Sequence, residues 1–176
     1  MPHHTQILMV PTSSAKAHGL KEFEVDARLV VLHIILIKMG VTTLYSCEGY
    51  DNPVDWENDK WFQTSRATNA YIMFKDDAEG RMFTQLLVSD PEKSPLGKVG
   101  EWAMEFDHNL ALMQGPRIVL RFPKSEIPAL EKYLLTLSPK FSLDDKARLL
   151  YLSEMYRKPV YEGDQFEDLE SLYPNR

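Results

Sequence analysis

Apolar residues recur along this chain in several different rhythms, and each rhythm predicts an element. Ile7-Leu8-Met9-Val10 is a short apolar run followed by Pro11-Thr12-Ser13-Ser14, which reads as a strand and then a loop. From Glu24 to Met39 the chain is apolar almost all round, through Val25, Ala27, Leu29 to Leu32, Ile34 to Ile37 and Met39. That length, with Gly40 directly after it, predicts a buried helix closed by a glycine. The β-branched residues in the run keep a strand reading open. Thr42 to Cys47 is β-branched and aromatic and predicts a strand, ended by Glu48-Gly49-Tyr50. Ala70 to Phe74 predicts another. Asp76 or Asp77 can then cap a helix to about Val88, with Met82, Phe83, Leu86 and Leu87 on one side.

After a turn-rich break from Pro91 to Gly97, two segments alternate. Glu101 to Asp107 sets Trp102, Met104 and Phe106 against Glu101, Ala103, Glu105 and Asp107. Arg117 to Phe122 sets Ile118, Leu120 and Phe122 against Arg117 and Arg121. Such alternation marks strands with one buried and one wet face. Ser125 is placed to cap a helix from Glu126 to about Leu137, with Pro128 in its first turn. Ser142 and Asp145 form a capping box for a last helix that ends before Pro159. Hairpin-like strand pairs interleaved with helices predict an α+β fold: a mixed, mostly antiparallel sheet of about four to five strands with helices packed on one face. Regular strand–helix alternation and a glycine-rich phosphate loop are both absent, so the doubly wound class is excluded.

Composition narrows the picture. The 176 residues are 44% hydrophobic and 26% charged, which is ordinary for a folded domain. We read residues 1–160 as one domain and the acidic 161–176 as a tail. The net charge of −6 argues against nucleic acid as the main partner, because a binder of phosphate backbones needs a basic face. One cysteine, Cys47, excludes an internal disulfide framework and a cysteine-based zinc cluster. The longest apolar run, Leu29 to Ile37, is far short of the roughly 20 residues of a membrane span. The expectation is a cytoplasmic protein with no membrane partner.

Candidate chemistry concentrates at Ser46-Cys47-Glu48-Gly49-Tyr50, where a hydroxyl, a thiol and a carboxylate precede a glycine at a strand end. Cys47 reads either as a nucleophile activated by a nearby cation or as a small buried hydrophobe. Glu48 reads as an accessible acid, base or ligand contact, or as an ion-paired strand-end carboxylate. The polar stretch 51–69 carries Trp56, Trp61 and Arg66, and a stretch of that length suits a lid or binding loop, or a small apolar cluster pinning the loop down. His108, between Asp107 and Asn109, is a further candidate base. Glu105 and Asp107 face Arg117 and Arg121 as ordinary cross-strand ion pairs, each contributing roughly 0.2–1 kcal/mol. No metal-ligand spacing joins His3, His4, His18, His33 and His108, and no metal or cofactor is predicted.

A helix followed by Gly40-Val41-Thr42-Thr43, then Ser46-Cys47-Glu48-Gly49 and an aromatic, then Ala70 to Phe74, resembles small uncharacterised proteins of bacteria and their phages. In those proteins the aromatic is often histidine; here it is Tyr50. The resemblance spans residues 24–75 and implies a phage or mobile-element origin, hence a host cytoplasm, and no activity. The Ser-Cys-x-Gly core is also distantly similar to the Ser-Ser-Cys-Ser-Gly-Arg motif of the tRNA wyosine-synthesising methyltransferase family, with Tyr45 and Tyr50 departing from it.

Two functions follow. One is an accessory protein that binds a host protein through loop 51–69, with Trp56 and Trp61 as anchors. The other is a small enzyme or a nucleotide- or metabolite-binding domain. Its site would be Ser46, Glu48, Gly49 and Tyr50, with Arg66 as an anion contact beneath the loop. Whether the protein is an enzyme stays open at this level.

Overall fold

The computed structural model describes residues 7–10, 23–49, 69–90, 92–97, 102–107, 115–137 and 141–156. Strand β1 (Ile7–Val10) pairs antiparallel with β2 (Phe23–Asp26) in a two-stranded sheet. A 3-10 turn, Ala27–Leu29, leads into helix α1 (Val30–Met39). The expected helix over Glu24–Met39 is thus corrected at its start. Asp26, Val25 and Glu24 are taken by backbone pairing with Ile7, Leu8 and Met9, and a residue committed to a ladder cannot also join a helix.

Helix α1 has no polar side: Val30 to Leu36, including His33, are all buried. It ends as expected at Gly40, which takes φ 85°. The Gly40 N–H donates to the Ile37 carbonyl at 3.0 Å and the Val41 N–H to the Leu36 carbonyl at 3.0 Å. This left-handed close satisfies the last carbonyls and turns the chain into the sheet.

The main sheet is four-stranded and antiparallel throughout, in the order β3-β4-β6-β5. Its strands are β3 (Thr43–Cys47), β4 (Asn69–Lys75), β5 (Ala103–Asp107) and β6 (Arg117–Pro123). Helices α2 (Ala78–Ser89), α3 (Ile127–Leu137) and α4 (Leu143–Tyr156) complete the α+β fold. One sheet face, built from Ala70, Ile72 and Phe74 of β4 and Ile118, Leu120 and Phe122 of β6, enters the core. There it joins α1, Phe83 and Leu87 of α2, Leu130 and Leu134 of α3, and Leu149 and Leu152 of α4. Phe74 and Phe83 meet edge to face at 5.3 Å, and Trp102 stacks on Phe122 at 5.0 Å. No helix among the described residues is long and apolar enough to cross a membrane.

Two helix starts follow the sequence and one does not. Asp77 caps α2 by accepting from the Gly80 N–H at 3.0 Å, while Asp76 pairs with Arg81. Ser142 and Asp145 exchange the two bonds of a capping box, at 3.1 and 3.2 Å. Ser125, expected as a cap, lies inside a 3-10 turn, Lys124–Glu126, that precedes α3. The cap position belongs to Pro123, whose side chain makes no capping bond. Strand β5 begins at Ala103, with Glu101 outside the described residues, and Phe106, expected inward, is 59% exposed on what is, among the described residues, an edge strand.

Gly40→Ala tests the helix close. A methyl there would meet only the Glu79 Cγ, at an ordinary 3.7 Å, so the cost is purely conformational. Urea unfolding should show a loss of about 1–2 kcal/mol; an unchanged midpoint would mean that the left-handed close carries no weight.

Candidate functional site

Among the described residues, strand β3 lies at a sheet edge and pairs with β4 alone. Its register slips between Thr43 and Tyr45, so the plain alternation that would set Thr43, Tyr45 and Cys47 on one face is broken by a bulge. Beyond the slip, Ser46 lies opposite Ile72 on the core side, while Cys47 lies opposite Tyr71 on the other. Glu48 leaves the strand and Gly49 follows with φ 81°, a conformation that spares a glycine the usual side-chain clash. The four contiguous candidates therefore point into different surroundings.

The surroundings of Glu48 differ from the accessible carboxylate the sequence suggested. Its side chain is sealed in the interior, at 0% exposure. Its Oε1 accepts from Lys124 Nζ at 3.1 Å, across 76 residues of sequence. Its backbone N–H donates to Asp26 Oδ2 at 2.8 Å. A carboxylate stripped of water needs such partners, because an uncompensated buried charge costs several kcal/mol. Glu48 is thus an ion-paired anchor that ties β2, the end of β3 and the β6–α3 junction together.

Ser46 and Cys47 are held more quietly. Ser46 Oγ shares a 2.8 Å hydrogen bond with His33 Nε2 from α1. Burial lowers the His33 pKa from its ordinary 6.5 to about 4, so the imidazole is neutral at physiological pH. Among the described residues, its Nδ1 has no hydrogen-bond partner. The Cys47 thiol is pushed up from 9.0 to about 11, first by burial and further by the negative charges of Asp26 and Glu48. The Gly49 N–H, 3.4 Å from the sulfur, opposes this only in part. Since the thiolate is the nucleophile, a pKa this high keeps Cys47 in its thiol form at neutral pH and favours the small hydrophobe over the activated nucleophile.

Lys124 connects this anchor to open space. A cleft of about 380 Å3 is lined by Arg28, Lys124, Ser125, Ile127, Pro128 and Ser153. Arg28 comes from the turn after β2, Lys124 and Ser125 from the turn before α3, and Ser153 from α4. Behind the wall, the Ser153 hydroxyl donates to Glu131 Oε2, and Glu131 is fully buried. The cleft wall thus carries cations and hydroxyls, and buried carboxylates stand behind it. Ser125, inside the 3-10 turn, is exposed and borders the cleft.

Sequence reasoning missed Asp26, Arg28, His33, Lys124, Glu131 and Ser153. A usable signal existed in part. Glu131 interrupts the buried face formed by Leu130, Tyr133 and Leu134, and Ser153 follows Leu152 on the buried side of α4. A polar residue at a core position asks for a partner. Of the sequence candidates, Tyr50, Trp56, Trp61, Arg66 and His108, the rest of loop 51–69 up to residue 68, and the acidic tail 161–176 lie outside the described residues. On the sheet face away from the core, Arg121 meets Glu105 at 3.5 Å and stands over the Tyr71 ring at 5.4 Å, the cross-strand pairing that alternation predicted. No group of three metal-ligating side chains occurs among the described residues.

Two outcomes check this geometry. Lys124→Ala strands the Glu48 charge and should cost about 3–5 kcal/mol, whereas the double change with Glu48→Gln should cost clearly less than the sum of the single changes. Additive losses in urea unfolding would dissolve the pair. His33 sets a pH dependence of known sign: its folded pKa lies below its unfolded one, so the unfolded chain binds the proton the native fold refuses. That stability is complete above pH 6.5 and drains away as pH falls toward 4, by roughly 3 kcal/mol in all. Comparing unfolding at pH 7 and pH 4, His33→Gln should lose less than the wild type by about that amount; equal losses would refute the assignment. No family model, no curated protein and no solved structure matches this chain.

Proposed function

We propose that the chain is a small-ligand-binding domain acting in the cytoplasm, with its site in the cleft between Arg28, Lys124, Ser125 and Ser153. The observation that carries this reading is the buried Glu48–Lys124 pair at the edge of that cleft. Burying an ion pair is a poor way to gain stability, because desolvation offsets most of the attraction. An apolar pair of equal volume would hold the same elements together at least as well. Retaining the charges makes sense where one of them has a task at the surface, and Lys124, with its side chain 12% exposed, borders the cleft.

Glu48 then acts through Lys124 as a positioning residue. It fixes the ammonium and limits the rotamer entropy lost when a ligand arrives. The volume lies within the roughly 300–1,000 Å3 range of small-molecule sites. Ile127 and Pro128 give the wall an apolar portion, and Arg28, Lys124 and the two serines give it polar contacts that fix orientation. A cytoplasmic setting agrees with a single cysteine kept in its thiol form.

The test is a thermal-unfolding screen against nucleotides, sugars, amino acids, polyamines and organic acids, using wild type and Ser125→Trp. Ser125 is exposed, so the indole is tolerated by the fold while it fills the cleft. At least one compound should stabilise the wild type, by about 2.7 kcal/mol at a hundred times its Kd, and leave Ser125→Trp unmoved. Either a flat screen at millimolar concentrations or a shift that survives Ser125→Trp would remove this reading.

A further inference from the structure

We propose that the outward ridge of α4 is a docking surface for a second copy of this chain, the two helices lying antiparallel about a twofold axis at Ala147. The proposal is independent of the cleft, because Ser153 lies on the buried side of the helix and the ridge is exposed.

Helix α4 carries apolar residues on two sides. Leu149 and Leu152 enter the core. Leu143, Ala147, Leu150 and Tyr151 are exposed and recur at the i, i+4, i+7, i+8 spacing that places them on one stripe. At 3.6 residues per turn, that stripe stands roughly opposite Leu149 and Leu152. Leu143 is 84% exposed and Tyr151 59%, so two large apolar side chains stand in water on the same ridge. Single exposed apolar residues are ordinary, whereas a contiguous patch of them marks a contact surface.

The order of residues along the ridge selects the occupant. Leu143 lies four residues before Ala147, and Tyr151 four after it. A twofold contact must be self-complementary, because residue i meets j while j meets i. An axis at Ala147 sets Leu143 of each copy against Tyr151 of the other, with the small side chain at the crossing, where the helices come nearest. Charge selects the antiparallel direction. Asp144 and Arg148 stand one turn apart on one flank of the ridge. Antiparallel pairing brings Asp144 of each copy beside Arg148 of the other, twice by symmetry, whereas a parallel pair sets like against like. Lys146, on the other flank, meets its own copy in both directions and does not discriminate. One helix pair lies at the small end of specific interfaces, below about 1,200 Å2, so the dimer is weak and concentration-dependent.

The experiment is sedimentation equilibrium of the full chain from micromolar to millimolar concentration. Wild type should pass from monomer to dimer. Leu143→Glu and Tyr151→Glu, at exposed positions, should each raise the dissociation constant at least tenfold while Tm and the far-UV spectrum stay unchanged. Mild oxidation then reads the geometry. Ala147→Cys should form a disulfide-linked dimer, since twofold mates at the crossing come within bridging distance. Glu154→Cys, exposed on the same ridge two turns further on, should cross-link far more slowly. Wild type, whose only cysteine is Cys47, sets the background. A chain that stays monomeric at millimolar concentration, a dimer that Leu143→Glu leaves equally tight, or cross-linking no faster in Ala147→Cys than in Glu154→Cys would overturn the proposal.

Discussion

A single buried carboxylate ties together the chain segments around the cleft. Glu48 cannot reach water, so it draws Lys124 Nζ to 3.1 Å and joins two segments that sequence separates widely. The same residue's N–H reaches Asp26 and brings in the end of β2. Val25, Ala27, Leu29, Phe122 and Ile127 anchor the same segments in the apolar core, and these ties join their polar side. The cleft is the space left between the segments so joined. Its shape therefore depends on an ion pair as well as on the apolar packing of Ile127 and its neighbours.

Much of the architecture is legible in the residues because local chemistry and global fold agree. Gly40 ends a helix in the left-handed region, Asp77 caps α2, and Ser142 with Asp145 caps α4, each as short-range rules demand. Alternation in Arg117–Phe122 reports a sheet with one face in the core. The failures occur where a partner distant in sequence decides. Glu24 to Asp26 joins a ladder because β1 is available, and no local pattern announces β1 as its mate. Phe106 stays exposed on what is, among the described residues, an edge strand, a position that alternation does not encode.

The site divides the same way. Ser46, Cys47, Glu48 and Gly49 stand out as a string of reactive groups, and the structure does gather polar side chains around them. Yet Glu48 faces inward, Cys47 holds its proton, and the groups that border open space, Arg28, Lys124 and Ser125, come from two other segments. Charged residues at element junctions are common in any sequence, so nothing local distinguished Lys124 from its neighbours. Only the mutual placement of β3 and the β6–α3 junction gives it meaning.

Helix α1 has a consequence for how the protein comes to be. Seven consecutive positions, Val30 to Leu36, are buried, so the rod has no side compatible with water. The surfaces that enclose it are made later, by β4, β6, α3 and finally Leu149 and Leu152 of α4. During synthesis the greasy rod leaves the ribosome more than a hundred residues before its last native cover, at an elongation rate of about 5–20 residues per second. For those seconds the apolar rod lacks the later elements that cover it in the finished fold, a delay written into the order of the elements.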